Sequence, residues 1–387
     1  MSGARVQASL DRVDEDRRYL REALGLAARV PARPWPNPPV GAVVVKDGVT
    51  VGRGAHHGPG EPHAERVALA EAGGRAAGAT LYCTLEPCRH HGRTPPCVDA
   101  ILAAGVARVV IGLADPNPLA GGGAARLRAA GVGVDVGPCG AECLDLVWPF
   151  VATDCFARPY LELKTATSLD ARFAAPARAS GGSRYLTGPQ ARADVHARRR
   201  WVDLVLVGKG TAVADRPRLD TRLVPAGAAC PAAEPAAGCV AGADLAGVSL
   251  ARPAWLLFQA SPAPAVLPPG AERVACPPAT GGGVDPAGLV DVCRERGWRA
   301  IMLEGGPRLA ASFLAAGLVD RWVQYVAPVV GGGGATWPAG FAAPGGSFHL
   351  TRCDRVGADL RVIWDRRDFA ATLASLTDSR EATCSPD

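Results

Sequence analysis

The chain reads "GEPHAERVALA" at residues 60–70 and "TLEPCRHHGRTPPC" at residues 84–97. His63 stands at the mouth of a run with helical spacing. Cys88 and Cys97 each follow a proline, and Cys97 opens a second helical run, "PCVDAILAAGV". A fold that joins these residues in one site has to bring two helix N-termini together, where backbone N–H groups and the helix dipole favour thiolate over thiol. One nitrogen and two sulfur ligands are what a catalytic Zn2+ takes when its fourth position is left to water. Glu65, two residues past His63, reads as a proton shuttle from attacking water to leaving nitrogen rather than as a ligand. H-x-E followed by Pro-Cys and a second cysteine is the pattern of the zinc deaminases. Singly, an H-A-E is common and a cysteine is often a small buried hydrophobe. The order of the four residues, with each element placed before a helix, favours catalysis.

The surrounding pattern alternates strands and helices. Residues 14–30 place Leu20, Ala23, Leu24, Ala27 and Ala28 at helical spacing, and "VGAVVVKDGVTVGRGAHH" reads as a hairpin turning at Asp47-Gly48. A helix over about 63–73, the strands "ATLYCTLEP" and "ARVVIGLADPNP", and a short helix and strand ending near 137 complete a predicted α/β layered domain over 1–152. From 158 the pattern restarts as a second α/β domain, over 158–368. Its elements are a strand at "RPYLELKTATSLDARF", a helix at "TGPQARADVHARRRW", a strand into a glycine turn at "VDLVLVGKGTAVAD", and later strands and a helix up to "RWVQYVAPVVGG". Residues 225–254, rich in Ala, Pro and Gly, read as a surface insertion, and 369–387 as a frayed tail. A chain of 387 residues exceeds what one core usually serves, which agrees with two domains.

Composition narrows the function classes. No stretch approaches about 18 apolar residues, so no membrane span is expected. The first twenty residues mix acids and bases, unlike a secretory leader. The net charge of +5 is spread along the chain, and its densest cluster, "HARRRW" at 196–201, suits an anionic small substrate as well as nucleic acid. Twelve cysteines without a leader point to a reducing cytoplasm and a metal site rather than disulfides. In the second half, "GKG" at 208–210 lacks the third glycine of a dinucleotide fingerprint, whereas "LEGGPRLAASF" sets Gly305-Gly306 before a helix N-terminus suited to phosphate. Either feature alone is as consistent with a tight turn. His196 and His349 read as satisfied or solvated.

Eight residues, "RHHGRTPP", separate the two cysteines. This expanded loop, with "PNPPVGAVVVKDG" at 36–48, "GEPHAE" at 60–65 and "DPNP" at 115–118 followed by glycines, resembles the bifunctional deaminase/reductase family of riboflavin biosynthesis. Cytidine and tRNA-adenosine deaminases share the zinc chemistry but not the loop. The resemblance implies a cytidine-deaminase-like α/β/α layered domain followed by a dihydrofolate-reductase-like α/β domain. It implies one Zn2+ on His63, Cys88 and Cys97, and deamination at ring C2 of 2,5-diamino-6-(5-phosphoribosylamino)pyrimidin-4(3H)-one. NADPH-dependent reduction of the ribosyl group to ribityl follows. Asn37 is then a substrate contact, and His56, His57, His90, His91 and Arg93 are donors for a phosphorylated ligand. His90 and His91 are also possible rival ligands, though the set is complete without them.

For the second domain the resemblance runs through "KTATSLDAR", "SGGSRYLTGPQARADVHARRR", "GKGTAVADRPRLDTR", "EGGPRLAASF" and "APVVGGGGA". It implies Lys164 as catalytic, with Ser183, Arg199, Leu219, Arg222 and Glu304 on the substrate. It implies Ala166, Tyr185, Thr211, Asp215, Ser261, Gly306, Pro307, Arg308, Leu309 and Ala310 on NADPH. It also implies a homo-oligomer formed through the reductase domain, a small phosphorylated pyrimidine as partner, and neither nucleic acid nor membrane. Three residues depart from the family pattern: Ala171 for glycine, Arg216 for an acid, and Gln259 for aspartate. Alternative readings are a deaminase with a retired or redirected reductase, another zinc nucleobase or nucleoside deaminase with an accessory domain, and a zinc-stabilised binding protein.

Overall fold

A computed structural model of the chain describes residues 3–30, 37–92, 94–173, 185–223, 237–242, 255–259, 271–280, 282–341 and 348–377. These fall into two compact units. One runs to Phe156 and takes in residues 371–377; the other runs from Ala157 to residue 370.

The first unit contains, in chain order, α1 (Gly3–Ala28), β1 (Gly41–Lys46), β2 (Val49–Ala55), α2 (Ala64–Ala72), β3 (Thr80–Cys83), α3 (Cys97–Ala103), β4 (Arg108–Ile111), α4 (Gly123–Ala129), β5 (Gly133–Val136) and α5 (Gly140–Phe156). Its sheet has the order β2-β1-β3-β4-β5, antiparallel across β2, β1 and β3 and parallel from β3 to β5. The hairpin turns at Asp47-Gly48, both at positive φ, as a tight two-residue turn requires. Glycines let the helices close on the sheet. A Cβ at Gly41 would lie 1.9 Å from the Ala23 carbonyl oxygen of α1, and one at Gly54 would lie 2.0 Å from that of Ala64 in α2. Gly54 sits opposite Ala42 in the ladder, so Gly41 faces the other way and the two helices cover opposite faces. This is the expected α/β/α layering. α1 begins eleven residues before the expected residue 14, and α5, with Pro149 inside it, extends the unit past 137.

The second unit contains β6 (Tyr160–Ser168), α6 (Pro189–Arg199), β7 (Leu204–Gly208), α7 (Lys209–Asp215), β8 (Ala237–Gly242), β9 (Trp255–Gln259), β10 (Ala271–Ala275), α8 (Pro286–Glu295), β11 (Ala300–Leu303), α9 (Pro307–Ala315), β12 (Arg321–Ala327), β13 (Phe348–Val356) and β14 (Asp359–Arg366). Among the described residues one sheet has the order β10-β9-β8-β7-β11-β6-β12-β14-β13. It is parallel from β10 to β12 and closes with an antiparallel hairpin. Its central strands β7 and β11 are nearly continuous apolar runs, as burial on both faces demands.

Two expectations are corrected. The stretch 225–254 is not only a surface insertion: β8 is an interior strand between β7 and β9, with Cys239 and Val240 fully buried. Its flanks, 224–236 and 243–254, lie outside the described residues. Nor is the tail frayed from 369. α10 (Arg367–Thr377) carries the chain on as a helix, Leu376 is buried, and its carbonyl accepts the Ala114 N–H at 2.9 Å. Residues 378–387 lie outside the described part.

Ala171, at the family's glycine position, has φ +57. It follows β6 in a turn where its N–H donates to Ser168 O. An L-residue with a Cβ is strained there by about 1 kcal/mol. Ala171→Gly is therefore expected to raise the Tm of this unit by about 2–4 °C; an unchanged or lower Tm counts against the strain.

Candidate active sites

In the first unit β2 ends beside the start of α2, and His63 occupies the N-cap position of that helix. Cys97 is the first residue of α3, and Cys88 lies in the loop between β3 and α3. Their ligand atoms all lie within 4.8 Å of one another. His63 Nδ1 is 3.5 Å from Cys88 Sγ and 3.3 Å from Cys97 Sγ. The Cys97 backbone N–H points to Cys88 Sγ at 3.4 Å, a helix-start donor that supports a thiolate. The Cys97 side chain, and then the His63 ring, hold the Cys88 thiol below its usual range against the opposing effect of burial. One imidazole nitrogen and two sulfurs on convergent vectors fit a Zn2+ ion. Glu65, in the first turn of α2, is buried, and its carboxyl packs against the Cys97 thiol. Burial pushes that carboxyl above its ordinary range.

Three supporting residues emerge only in three dimensions. His63 Nε2 lies 3.3 Å from Thr94 Oγ1, so with Nδ1 turned to a metal the Nε2–H donates to that hydroxyl. His56 is buried, and both its nitrogens are engaged: Nδ1 with Pro62 O at 3.2 Å and Nε2 with Asn37 Nδ2 at 2.9 Å. Its ring meets His63 edge-on at 5.2 Å. His56 is therefore a buttress that orients Asn37 and His63, not the anion donor expected from sequence; burial also lowers its pKa. His57, His90 and His91 are exposed, and Arg93 lies outside the described residues. Neither His90 nor His91 joins the metal-ligating cluster. Glu86, two residues before Cys88, accepts the N–H groups of Asp115 and Ala124, pinning the "DPNP" segment beside the ligands.

In the second unit a cluster forms where β11 ends beside the middle of β6. Leu163 of β6 pairs with Leu303 of β11, so Lys164 and Glu304 emerge side by side. Glu304 takes a two-pronged pair from Arg199 at the end of α6, Nε–Oε1 at 2.5 Å and Nη2–Oε2 at 2.7 Å. Arg199 Nη1 also donates to Asp220 O at 2.8 Å. Burial alone would raise the Glu304 carboxyl, but Arg199 and then Lys164 hold it below its ordinary value. Burial lowers Lys164 from the usual ammonium range, with Glu304 opposing and Arg199 assisting. Asp220 binds Arg222 and Arg218, and the Lys164 ammonium sits 6.0 Å above the Tyr325 ring.

The phosphate cradle expected at Gly306–Ala310 is the N-terminus of α9, with Gly306 as an N-cap that no side chain fills. The Gly306 N–H reaches the Thr211 hydroxyl at 3.2 Å, joining two residues expected on the cofactor. An uncapped helix start beside a hydroxyl fits a dinucleotide phosphate. Asp215 and Arg308 are exposed, and Tyr185 lies under the Arg192 guanidinium. Ala166 is half-buried on β6, while Leu219 is buried with φ +49. Ser183 and Ser261 lie outside the described residues. Arg216, which replaces an acid, ends α7 at φ +43, and Gln259 closes β9. His196 departs from the expected reading at one ring nitrogen. It is buried with no hydrogen-bond partner for Nδ1, which lies 3.9 Å from Asp220 Oδ1.

Two outcomes are expected. Thr94→Val leaves the three ligands in place but removes the acceptor for His63 Nε2–H, so zinc affinity should fall about tenfold or more in competition with a chelator; unchanged affinity would dismiss the Thr94 contact. Burial, then Arg199 and Arg222, lower His196 from 6.5 to about 4, against the opposing pull of Glu304 and Asp220. Between these values the unfolded chain binds the extra proton, so stability falls as pH drops from 6.5 to 4. His196→Gln should lessen the Tm loss between pH 7 and pH 5; an equal loss would show that His196 does not titrate in that way.

Comparison with known proteins gives each unit a family. The cytidine and deoxycytidylate deaminase zinc-binding region matches residues 13–113, and the RibD C-terminal domain matches residues 159–362. The riboflavin biosynthesis protein RibD of Aquifex aeolicus is 38% identical over 328 residues, 82% of this chain and 88% of that protein. That of Escherichia coli is 40% identical over 325 residues, 81% and 88% respectively. Among solved structures, Acinetobacter baumannii RibD aligns with a TM-score of 0.71 at 32% identity, covering 92% of this chain and 99% of that one. The diaminohydroxyphosphoribosylaminopyrimidine deaminase/5-amino-6-(5-phosphoribosylamino)uracil reductase of Thermotoga maritima aligns at 0.76 and 30% identity, with the same coverage. Zn2+ and NADPH are the cofactors of two such domains. Matched over both domains in order, and with the ligand set of one and the strand-end cluster of the other in place, the chain belongs to the RibD family, the bifunctional deaminase–reductases of riboflavin biosynthesis.

Proposed function

We propose that the two reactions divide among this chain's residues as follows. His63, Cys88 and Cys97 hold Zn2+, which supplies Lewis acidity toward a water nucleophile. Glu65 takes the proton from that water and passes it to the nitrogen leaving ring C2 of the diaminopyrimidinone ribotide. Its buried place against the ligands confines the proton to that path. Asn37, its amide NH2 committed to His56, turns its carbonyl oxygen toward the substrate. The observation that carries this half is the convergence of one nitrogen, two sulfurs and a buried carboxyl at two helix starts.

In the second half NADPH supplies the hydride that converts the ribosyl group to ribityl. Lys164 would donate the proton to the sugar oxygen, and Glu304 would hold that ammonium in place. Arg199, fixed by Glu304, orients the substrate pocket, while Arg222, Leu219 and Ser183 contact the substrate. Thr211, Asp215 and residues 306–310, with Ala166, Tyr185 and Ser261, bind the cofactor. The adjacency of Lys164, Glu304 and Arg199 supports a working reductase over a retired one, despite the departures at Ala171, Arg216 and Gln259. The protein works as a cytoplasmic homo-oligomer joined through its reductase domains and binds neither nucleic acid nor membrane. No helix among the described residues is long and apolar enough to cross a membrane.

Ammonia release and NADPH oxidation followed together on the diaminopyrimidinone ribotide test the division. Glu65→Gln should stop both, and supplying the deaminated product should restore NADPH oxidation. Lys164→Ala should stop only NADPH oxidation, by about 100-fold or more. Ammonia without NADPH consumption by the unmodified protein would mean a retired reductase.

A further inference from the structure

The deaminase site has a support that comes from the far end of the chain. Residues 371–377 belong to the first compact unit, although the second unit precedes them in sequence. Leu376, buried, accepts the Ala114 N–H at 2.9 Å through its carbonyl. Thr377 fits over two glycines at the start of α5. A Cβ at Gly140 would lie 2.3 Å from Thr377 Cγ2, and one at Gly137 would lie 3.1 Å from Thr377 O. Ala114 precedes Asp115, whose N–H donates to Glu86 Oε2 at 3.0 Å, and Ala124 N–H donates to Glu86 Oε1 at 2.7 Å. The loop between these anchors lies directly on the metal ligands. Ala120 is buried against Cys88 and Cys97, and its carbonyl accepts the Arg89 N–H at 3.1 Å. Each step is a hydrogen bond or a buried contact, so the path from Leu376 to Cys88 is unbroken.

We propose that the C-terminal segment Ala371–Thr377 is a positioning element of the zinc site, bracing the 114–124 loop that packs on Cys88 and Cys97. The proposal rests on reading that site as the deaminase centre. Deleting the brace leaves every ligand in place but lets the loop lift from the cysteines. Zinc is then lost faster and the substrate pocket is less well formed.

The full-length, zinc-loaded protein tests this by a compensating pair. Gly140→Ala drives a methyl group into Thr377 Cγ2, and Thr377→Ala removes that atom, leaving the Thr377 Cβ at 3.5 Å, an ordinary contact. Zinc transfer to a chromogenic chelator should be threefold or more faster in Gly140→Ala. Deuterium uptake over 112–117 should rise with it. The double variant Gly140→Ala/Thr377→Ala should return both to near the parent value. NADPH oxidation on the deaminated product serves as a folding control and should be unchanged throughout. Should Gly140→Ala not fold, Leu376→Asp puts a charge where the Leu376 side chain is buried, loosening the same segment, and should show the same faster zinc loss. Zinc loss equal to the parent's in the foldable variant, or a double variant no better than Gly140→Ala alone, would overturn the brace. Zinc and exchange effects without any ammonia release by the parent would instead sink the deaminase reading and leave the brace standing.

Discussion

The zinc site depends on how closely α2 lies against β2. Gly52 and Gly54 face Ala68 and Ala64 backbone to backbone, at distances no side chain on the strand could tolerate. That contact fixes where α2 begins, and the start of α2 is where His63 and Glu65 sit. The strand continues into His56, whose N–H returns to Val40 O and whose ring reaches Pro62 and Asn37. One close approach thus sets His63, Glu65, His56 and Asn37 together. A methyl group on either glycine would move the helix rather than the side chain, since the opposing atoms are backbone.

The second site is held by register and charge. Parallel pairing of β6 with β11 makes Lys164 and Glu304 neighbours whatever the rest of the sheet does. Arg199 then fills the guanidinium place opposite Glu304, buried from solvent. Replacing such a pair with apolar groups often costs a protein little stability, while removing one partner strands a buried charge. Its value here is geometric: it holds the Glu304 carboxylate ionised and aimed beside Lys164.

Much of this was legible in the sequence, for physical reasons. Asp47-Gly48 between alternating apolar residues specifies a tight hairpin, and His63, Cys88 and Cys97, read together from the motif, do come together as a group that could hold a metal. The rest escaped for equally physical reasons. β8 is a short buried parallel strand in an Ala- and Gly-rich stretch, without the alternation that marks half-exposed strands. β13 alternates poorly because most of it faces water, and its charges hide the strand signal. In α5, Pro149 interrupts a run that burial of both neighbours sustains. His56 read as a ligand donor and His196 as satisfied or solvated because nothing local betrays that a histidine is enclosed. Residues 371–377 have no local signal for the surface they join, which is assembled from segments more than two hundred residues earlier.

The sheet order also has a consequence in time. β11 lies between β6 and β7, yet it is made more than a hundred residues after β6. During synthesis β6 and β7 therefore leave the ribosome with the edges that will face β11 still bare, for on the order of ten seconds. Until Leu303 is exposed, no partially made chain can bring Lys164 and Glu304 together. The nascent second unit must wait with open strand edges, the state in which a cell's holding chaperones have most to do.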